Sequence, residues 1–147
     1  CFASKGFQLV RVTAPSGKYF FILNTHLDAG IHDSDRKARK EQLSQILIKI
    51  QKELSGEALI VVGDLNLKWN DERDRFLLEN FKEQLGLSDP IKGIQTETGW
   101  PVIDYILYRD GAQTTFEVIE KGEDLNFKTQ EGPLSDHPAL FMELNIN

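Results

Sequence analysis

The sequence predicts an α/β fold with a mixed β-sheet, formed by one structural unit that spans residues 1–147. A long segment with the apolar spacing of a helix lies between two short, strongly apolar runs, and a helical crossover of this kind joins parallel strands. Three further strand-like runs follow in the second half. No internal repeat and no linker rich in proline, glycine or serine divides the chain, so one unit is expected.

The first element is a predicted β-hairpin. Phe7–Thr13 alternates loosely between apolar and polar residues, and Tyr19–Leu23 is a dense apolar run. Residues 14–17 between them are Ala-Pro-Ser-Gly, a composition typical of turns. The two runs are therefore expected to form the two strands of the hairpin.

A long helix and a buried strand are predicted next. The helix is expected to begin at Ser34 as its N-cap and to end before Gly56, with one apolar face formed by Leu43, Ile46, Leu47, Ile50 and Leu54. Ala58–Val62 has the length and β-branched content of a strand that is buried on both faces. Strand, helix and strand then form a βαβ crossover, in which Tyr19–Leu23 and Leu59–Val62 are the predicted parallel pair.

The second half supplies another helix and three strands. Asn70 is the predicted N-cap of that helix, which should end near Gly86. Its inward-facing residues are predicted to be Phe76, Leu77, Phe81 and Leu85. The predicted strands are Val102–Tyr108, Thr114–Ile119 and Ala139–Leu144, and the polar stretch Lys121–Glu131 is predicted to be a surface loop.

Composition and charge exclude several classes of protein. With 40% hydrophobic and 27% charged residues, the chain has the make-up of a folded soluble protein. Its longest apolar stretch, Ala58–Val62, is far too short for a membrane-spanning helix, and the single cysteine, Cys1, cannot form an internal disulfide. The net charge of −6 is uneven, because residues 71–147 carry 16 acidic and 7 basic side chains. Such a surface disfavours non-specific DNA binding. We expect a soluble protein, and the sequence leaves its compartment open, secretion included.

Four short segments place polar, titratable residues at strand ends or in the loops beside them. They are residues 24–28 (Asn-Thr-His-Leu-Asp), 63–66 (Gly-Asp-Leu-Asn), 103–105 (Ile-Asp-Tyr) and 134–138 (Leu-Ser-Asp-His-Pro). Ligands of α/β sheets gather at such ends, because loops can converge there without opening the core. The four segments are therefore the predicted functional site.

The chemistry of these segments indicates a phosphate or cation site. Strand alternation directs Asp64 and Asn66 to the same side, where they can meet a phosphate or a hydrated divalent ion, although the same residues also favour a plain turn. A lone histidine after a strand, such as His26, is more often structural than catalytic.

Asp104 and His137 are predicted to act as a pair. A carboxylate at position 104, inside an otherwise apolar strand, is costly without a partner. An imidazole such as that of His137 is a suitable one, and a hydrogen-bonded pair of this kind can serve as a general base for water. The alternative is that alternation directs Asp104 to solvent.

Taken in order, the four segments resemble the endonuclease/exonuclease/phosphatase superfamily, the divalent-metal phosphoesterases that include deoxyribonuclease I, apurinic endonucleases, neutral sphingomyelinases and inositol polyphosphate 5-phosphatases. Residues 24–30, Arg39 and Gln42 of the following helix, and residues 134–140 resemble the bacterial sphingomyelinase-like branch most. The resemblance runs from about Lys5 to the end of the chain.

The resemblance implies a role for each site residue. His137 would be the general base for the attacking water, and Asp104 would orient it. Asp64 and Asn66 would hold the phosphate and the metal-bound water, with Asp64 as the rival candidate for the base. His26 would donate to a phosphate oxygen. Asp136 and Asp64 would bind the metal, directly or through water, and the implied cofactor is Mg²⁺, with Mn²⁺ as the alternative.

The resemblance also implies a larger domain. Members of the superfamily form a four-layer α/β/β/α sandwich, like deoxyribonuclease I, of about twice this length, and their amino-terminal half supplies an Asn and the Glu that is the principal Mg²⁺ ligand. Residues 1–147 are therefore expected to be the carboxyl-terminal part, inactive or nearly so when isolated. The missing half or a second copy is expected to cover the exposed sheet.

Three functions follow from this expectation. The favoured one is a Mg²⁺-dependent phosphodiesterase that acts on a phospholipid head group, like a sphingomyelinase or phospholipase C. The first alternative is a nuclease of the same fold, for which the basic cluster Arg36, Lys37, Arg39 and Lys40 would face phosphates, whereas such a cluster is more often a solvated helix face. The second alternative is a truncated binding module without catalytic activity.

Overall fold

The computed structural model describes residues 5–92, 96 and 102–147, and it contains two α-helices and eight β-strands within them. In chain order these elements are β1 (Phe7–Thr13), β2 (Tyr19–Thr25), α1 (Asp33–Glu53), β3 (Leu59–Asp64), α2 (Glu72–Leu85), β4 (Asp104–Arg109), β5 (Phe116–Glu123), β6 (Lys128–Thr129), β7 (Gly132–Pro133) and β8 (Leu140–Ile146).

The main sheet is mixed, as the sequence predicts. Its four strands lie in the order β1-β2-β3-β4, and β2 and β3 are parallel, whereas the β1–β2 and β3–β4 pairs are antiparallel. The parallel register pairs Phe21 with Leu59 and Leu23 with Val61. The predicted hairpin, βαβ crossover and parallel pair are thus confirmed. The remaining described strands form two small antiparallel sheets, β5–β8 and β6–β7.

Alternation along the central strands gives the main sheet two apolar faces. Leu23, Val61 and Leu107 are fully buried on the face that packs against α1 and α2. Ile60, Ile106 and neighbouring residues of the other face pack against the β5–β8 sheet, where Phe20 and Phe116 contact edge to face with ring centroids 5.4 Å apart. Helices, main sheet and second sheet therefore form successive layers, and burial on both faces explains the continuous apolar run of β3.

Both helix starts differ from the predicted ones. The N-cap of α1 is His32 rather than Ser34, and its backbone N–H donates to Asp35 Oδ2 at 2.9 Å. The N-cap of α2 is Asp71 rather than Asn70, because the Asp71 carboxylate accepts hydrogen bonds from the backbone N–H groups of residues 73 and 74. In each case a nearby carboxylate stabilises otherwise unpaired N–H groups of the first turn.

One inward-facing residue of α2 was predicted wrongly. Phe76 is 69% exposed, whereas Leu78, which the prediction omits, is fully buried. Residues two positions apart in an α-helix are separated by about 200° around its axis, so the side chains of Phe76 and Leu78 cannot share a face. The predicted Phe81 and Leu85 do lie on the buried face with Leu78, and Leu77 lies at its border.

The predicted surface loop 121–131 does lie at the surface, but strands occupy its residues 121–123 and 128–129. Strand β5 continues to Glu123, where it pairs with Leu140 at the start of β8, and β6 occupies Lys128–Thr129. A two-stranded sheet with one solvated face accepts polar residues at every second position, so polar composition did not reveal these strands. The last strand likewise extends to Ile146, two residues beyond the predicted end.

Neither described helix has the length and apolar character that crossing a bilayer requires.

Candidate functional site

The candidate site lies at one edge of the main sheet, on its face toward β5–β8. Asp64 ends β3, Asp104 begins β4, and the two are direct partners in the antiparallel register. Both have the same strand parity as Ile60 and Ile106, which pack toward β5–β8. His26 follows β2 directly. Because β2 and β3 are parallel and β4 runs against them, these three residues meet at the same edge.

His137 and Asp104 form the predicted pair. The Nδ1 atom of the His137 ring lies 2.7 Å from Asp104 Oδ2, and both side chains are partly buried. The backbone N–H of His137 donates to Ser135 Oγ at 3.0 Å, and the next residue, Pro138, is buried. The alternative that directs Asp104 to solvent is thereby overturned, because the carboxylate has the imidazole partner that its apolar strand requires.

The environment of His137 favours its protonated form. The hydrogen bond to Asp104 raises the pKa of the imidazole, burial opposes that rise, and the negative charges of Asp104, Asp64 and Asp136 add to it. His137 should therefore titrate at a higher pH than an ordinary histidine.

We expect a histidine NMR titration of the chain to give His137 a pKa above the ordinary value of about 6.5. Asp104→Asn should lower it, since the variant removes the negative partner of the ring. A His137 titration that is unchanged by Asp104→Asn would contradict the pairing.

Asp64 is the second carboxylate of the site. Its Oδ2 lies 3.4 Å from His26 Nε2, and its Oδ1 accepts the backbone N–H of Asn66 at 2.8 Å. Partial burial raises the pKa of Asp64, and the negative charge of Asp104 adds to that rise, whereas the Asn66 hydrogen bond opposes it. Burial and the charge of Asp104 both favour a cation beside this carboxylate, because a positive charge offsets the cost of ionising Asp64 there.

Asn66 shapes the loop after β3. Its φ of 50° places it in the left-handed region, which Asn tolerates better than most residues. Its Nδ2 donates to the Leu27 carbonyl at 3.1 Å, so the side chain joins the loop after β3 to the loop after β2. The Asp64 carboxylate thus closes a turn over residues 64–66, whereas Gly63 and Asp64 themselves belong to β3.

Gly63 is required for the approach of β3 to β2. Its φ is 131°, and a Cβ atom at this position would clash with the carbonyl oxygen of Thr25. We expect Gly63→Ala to destabilise the protein by about 2 kcal/mol or more, because a left-handed φ and a backbone clash both oppose the new methyl group. Urea unfolding measures this change.

Gly17→Ala is the matched control for that variant. Gly17 also has a positive φ, of 84°, but a Cβ atom there would have no neighbour within 4 Å. It should therefore show the cost of the backbone conformation alone. Equal losses for the two variants would contradict a specific role for close packing at Gly63.

Tyr105 is a supporting residue of the predicted segment 103–105, to which sequence analysis assigned no role of its own. Its hydroxyl donates to the Leu67 carbonyl at 2.7 Å, deep in the core below the loop after β3. Burial raises the pKa of the Tyr105 phenol above its usual range, so the hydroxyl keeps its proton and remains a donor. A tyrosine on the inward parity of a strand, between Ile103 and Leu107, was the available signal.

The structure also bears on the predicted metal ligand Asp136 and on the basic cluster of α1. Asp136 is exposed and does not belong to the group of candidate ligands found among the described residues. In the basic cluster, Lys37 and Lys40 are exposed, as a solvated face requires. Arg36 and Arg39 instead pair with Asp74, so neither a solvated nor a phosphate-facing role fits these two residues.

A divalent cation fits part of this site. Asp64, Asp104 and His137 each offer one ligand atom, and these atoms lie within 4.8 Å of one another. Carboxylate oxygens suit Mg²⁺, which commonly binds to one or two carboxylates and keeps several waters. The imidazole suits it less, and its Nδ1 atom already contacts Asp104. Asp64 is therefore the residue best suited to hold the ion.

Comparison with known proteins places this geometry. No family model matches the chain. It is similar to a curated sphingomyelinase of Mycobacterium bovis, with 28% identity over 158 residues that cover 95% of the chain. An endonuclease/exonuclease/phosphatase protein from Beutenbergia cavernae superposes on 97% of the chain with a TM-score of 0.75 and 21% identity. The chain has the fold of the endonuclease/exonuclease/phosphatase proteins.

The resemblance inferred from the sequence and the predicted fold class are thus confirmed. A Staphylococcus aureus beta toxin variant with bound magnesium ions has the same fold, with a TM-score of 0.54 and 19% identity over 95% of the chain. The chain spans about a third of the length of the curated relative, 39% of the Beutenbergia chain and 54% of the toxin chain.

Proposed function

We propose that the protein carrying this chain hydrolyses phosphodiesters with a water molecule that His137 deprotonates. The observation that carries the proposal is the 2.7 Å contact between His137 Nδ1 and Asp104 Oδ2, beside the Asp64 carboxylate and within the fold of known phosphoesterases. A base, its orienting partner and an adjacent carboxylate are the groups that this reaction requires.

The pair sets the tautomer of the base. When neutral His137 donates its Nδ1 proton to Asp104, Nε2 becomes the acceptor nitrogen of the ring. Nε2 takes a proton from water as the water oxygen attacks phosphorus. The bond from phosphorus to the leaving oxygen breaks, its electron pair stays on that oxygen, and the oxygen takes up a proton from solvent. Asp104 stabilises the imidazolium that forms, which is the role of the carboxylate in a catalytic triad.

His26 and Asn66 complete the protein's part in the reaction. His26 is 59% exposed with its Nε2 atom directed at Asp64, so it can donate to a non-bridging phosphate oxygen that binds there. Asn66 joins the loop after β3 to the loop after β2 and so helps to keep His26 and Asp64 in place around that oxygen. Hydrogen-bond donors placed in advance around the phosphate stabilise the charge that builds up in the transition state.

We propose Mg²⁺ as the cofactor, with Asp64 as its ligand in this chain. When bound, the ion supplies Lewis-acid stabilisation of the phosphate and lowers the pKa of a bound water. The magnesium ions in the beta toxin structure support this choice, and Mn²⁺ is the alternative with similar oxygen preference. Asp136, which is exposed beside His137, would act only through a water molecule.

A phospholipid head group is the proposed substrate. The sphingomyelinase similarity supports it. The nuclease alternative loses its main support, because Arg36 and Arg39 bond to Asp74 and do not extend toward the site. The acidic second half of the chain also repels the extended phosphate backbone of nucleic acid.

Residues 1–147 alone are proposed to be nearly inactive. At most two carboxylates among the described residues, Asp64 and Asp104, could hold the ion, and one of these is engaged with His137. Few protein ligands mean weak binding and poor positioning of the ion. The activity therefore belongs to the intact protein.

The test is hydrolysis by the intact protein with Mg²⁺. Sphingomyelin vesicles, phosphatidylcholine vesicles and plasmid DNA are the three substrates, and His137→Ala is the control for contaminating activity. We expect release of the phosphorylated head group from a vesicle and loss of this activity in the variant. Nicking of DNA without lipid hydrolysis would favour the nuclease, and no turnover of any substrate would favour a binding module.

A further inference from the structure

A buried ion pair lies behind the two loops that carry the candidate site. Arg39 of α1 is 1% exposed, and Asp74 of α2 is 3% exposed. Arg39 Nη2 donates to Asp74 Oδ1 at 3.4 Å. A pair this deeply buried costs desolvation free energy and seldom adds net stability. Its contacts therefore need a reason other than the strength of the pair.

Arg39 holds the loop after β2, which comprises residues 26–32. Its Nη1 donates to the carbonyl oxygens of Asp28 at 3.1 Å and Gly30 at 3.0 Å. Its Nε has no hydrogen-bond partner, so the two outer nitrogens alone place the guanidinium. Gln42, one helical turn further along α1, accepts the Asp28 N–H at 2.9 Å. The backbone of this loop is thus fixed from α1 just after His26.

Asp74 holds the loop after β3, which comprises residues 65–71. Its Oδ2 accepts the backbone N–H of Lys68 at 3.3 Å, while its Oδ1 accepts from Arg39. One carboxylate therefore contacts the loop after β3 directly and the loop after β2 through a single guanidinium.

The two loops also bond to each other at their site ends. The Leu27 N–H donates to the Asp64 carbonyl at 2.9 Å, and Asn66 Nδ2 donates to the Leu27 carbonyl. These bonds form only when the loops are correctly aligned, and the buried pair contacts both loops a few residues further along the chain.

We propose that Arg39 and Asp74 are positioning residues that hold these two loops in register and so set the separation of His26 from Asp64. The catalytic consequence of this positioning rests on the proposed function. The planar guanidinium suits this task, because it can bond to a carboxylate and to two carbonyl groups at once, which a lysine ammonium on its flexible stem does less well.

Arg36 provides a matched control. Its Nε also donates to Asp74 Oδ1, at 3.0 Å, and its side chain is largely buried. Its side chain also pairs with Asp71 and Asp33 at the starts of the two helices, and none of these side-chain contacts reaches the loop after β2. Arg36→Lys and Arg39→Lys therefore make the same chemical change against the same carboxylate, but only the second should release that loop.

The experiment compares the two variants in the intact protein by amide hydrogen exchange and by phosphodiester turnover. In Arg39→Lys we expect the Leu27 and Asp28 amides to exchange about tenfold faster, with the core strand residue Val61 unchanged. Turnover should fall about 10²-fold in kcat with KM within about threefold, since misplaced groups weaken the transition state more than substrate binding. Arg36→Lys should leave the exchange of the Leu27 and Asp28 amides unchanged.

Two results would overturn the proposal: equal acceleration of exchange in both variants, or faster loop exchange in Arg39→Lys at wild-type kcat. If Arg39→Lys does not fold, Gln42→Met removes only the bond to the Asp28 amide and is expected to show the same pattern at smaller size. If the unaltered protein hydrolyses no phosphodiester, the proposed function fails, and the exchange comparison alone decides whether the pair positions the loops.

Discussion

Asp104→Asn should lower kcat for phosphodiester hydrolysis by the intact protein by about 10³–10⁴-fold, as replacement of the orienting aspartate does in serine proteases. The Asp104 carboxylate accepts from His137 Nδ1, and an asparagine amide at the same place can donate to this nitrogen instead. The ring then carries its proton on Nε2, where a base must have none. Steady-state kinetics at saturating substrate measure the loss.

Asp110→Asn is the control for that variant. Asp110 follows directly after β4, and its Oδ1 accepts the Phe116 N–H at 2.8 Å, a bond that an asparagine oxygen can keep. Asp110→Asn therefore removes one negative charge next to the same strand without changing a residue of the site. Similar losses in both variants would show that charge or fold, rather than the His137 pair, accounts for the effect.

Removal of divalent cations should lower the activity of the intact protein by about 10²-fold or more, because metal stabilisation of a phosphoryl transition state is worth several kcal/mol. Dialysis against a chelator, followed by assay with and without added Mg²⁺ or Mn²⁺, measures this. Asp64→Asn should raise the Mg²⁺ concentration needed for half-maximal activity, since it removes the carboxylate that we assign to the ion.

Two comparisons guard the metal experiment. Ca²⁺ should restore less activity than Mg²⁺, because its larger radius and flexible coordination suit a compact phosphate site poorly. Full activity in the chelated protein would contradict the assignment of a metal-dependent reaction. Unchanged Mg²⁺ dependence in Asp64→Asn would contradict only the assignment of Asp64 as a ligand, and not the metal dependence itself.

The order and pairing of the main elements were predictable where the hydrophobic pattern of the sequence is pronounced. The 21-residue helix α1 and the buried strand β3 follow from periodicity, and their succession fixes the parallel pair. The His137–Asp104 contact followed from the cost of a carboxylate inside an apolar strand. A single out-of-place charge was therefore a stronger signal than any short motif.

What the sequence did not reveal depends on contacts between distant residues. Arg36 and Arg39 pair with Asp74, which lies at least 35 residues further along the chain, so their local pattern resembles a solvated basic face. The phase error at Phe76 has a different cause. An apolar residue was assigned to the interior although Asp74 and Lys82 occupy part of the buried face of that helix. Ion pairs and loop contacts of this kind form only in the folded chain.

A double-mutant cycle in Asp104 and His137 tests the central claim most directly. Asp104→Asn, His137→Ala and the double variant are compared by kcat/KM for the phosphodiester that the intact protein hydrolyses. If the carboxylate acts only through the imidazole, the double variant should be no slower than His137→Ala alone. Independent losses that multiply in the double variant would contradict a catalytic pair at this site.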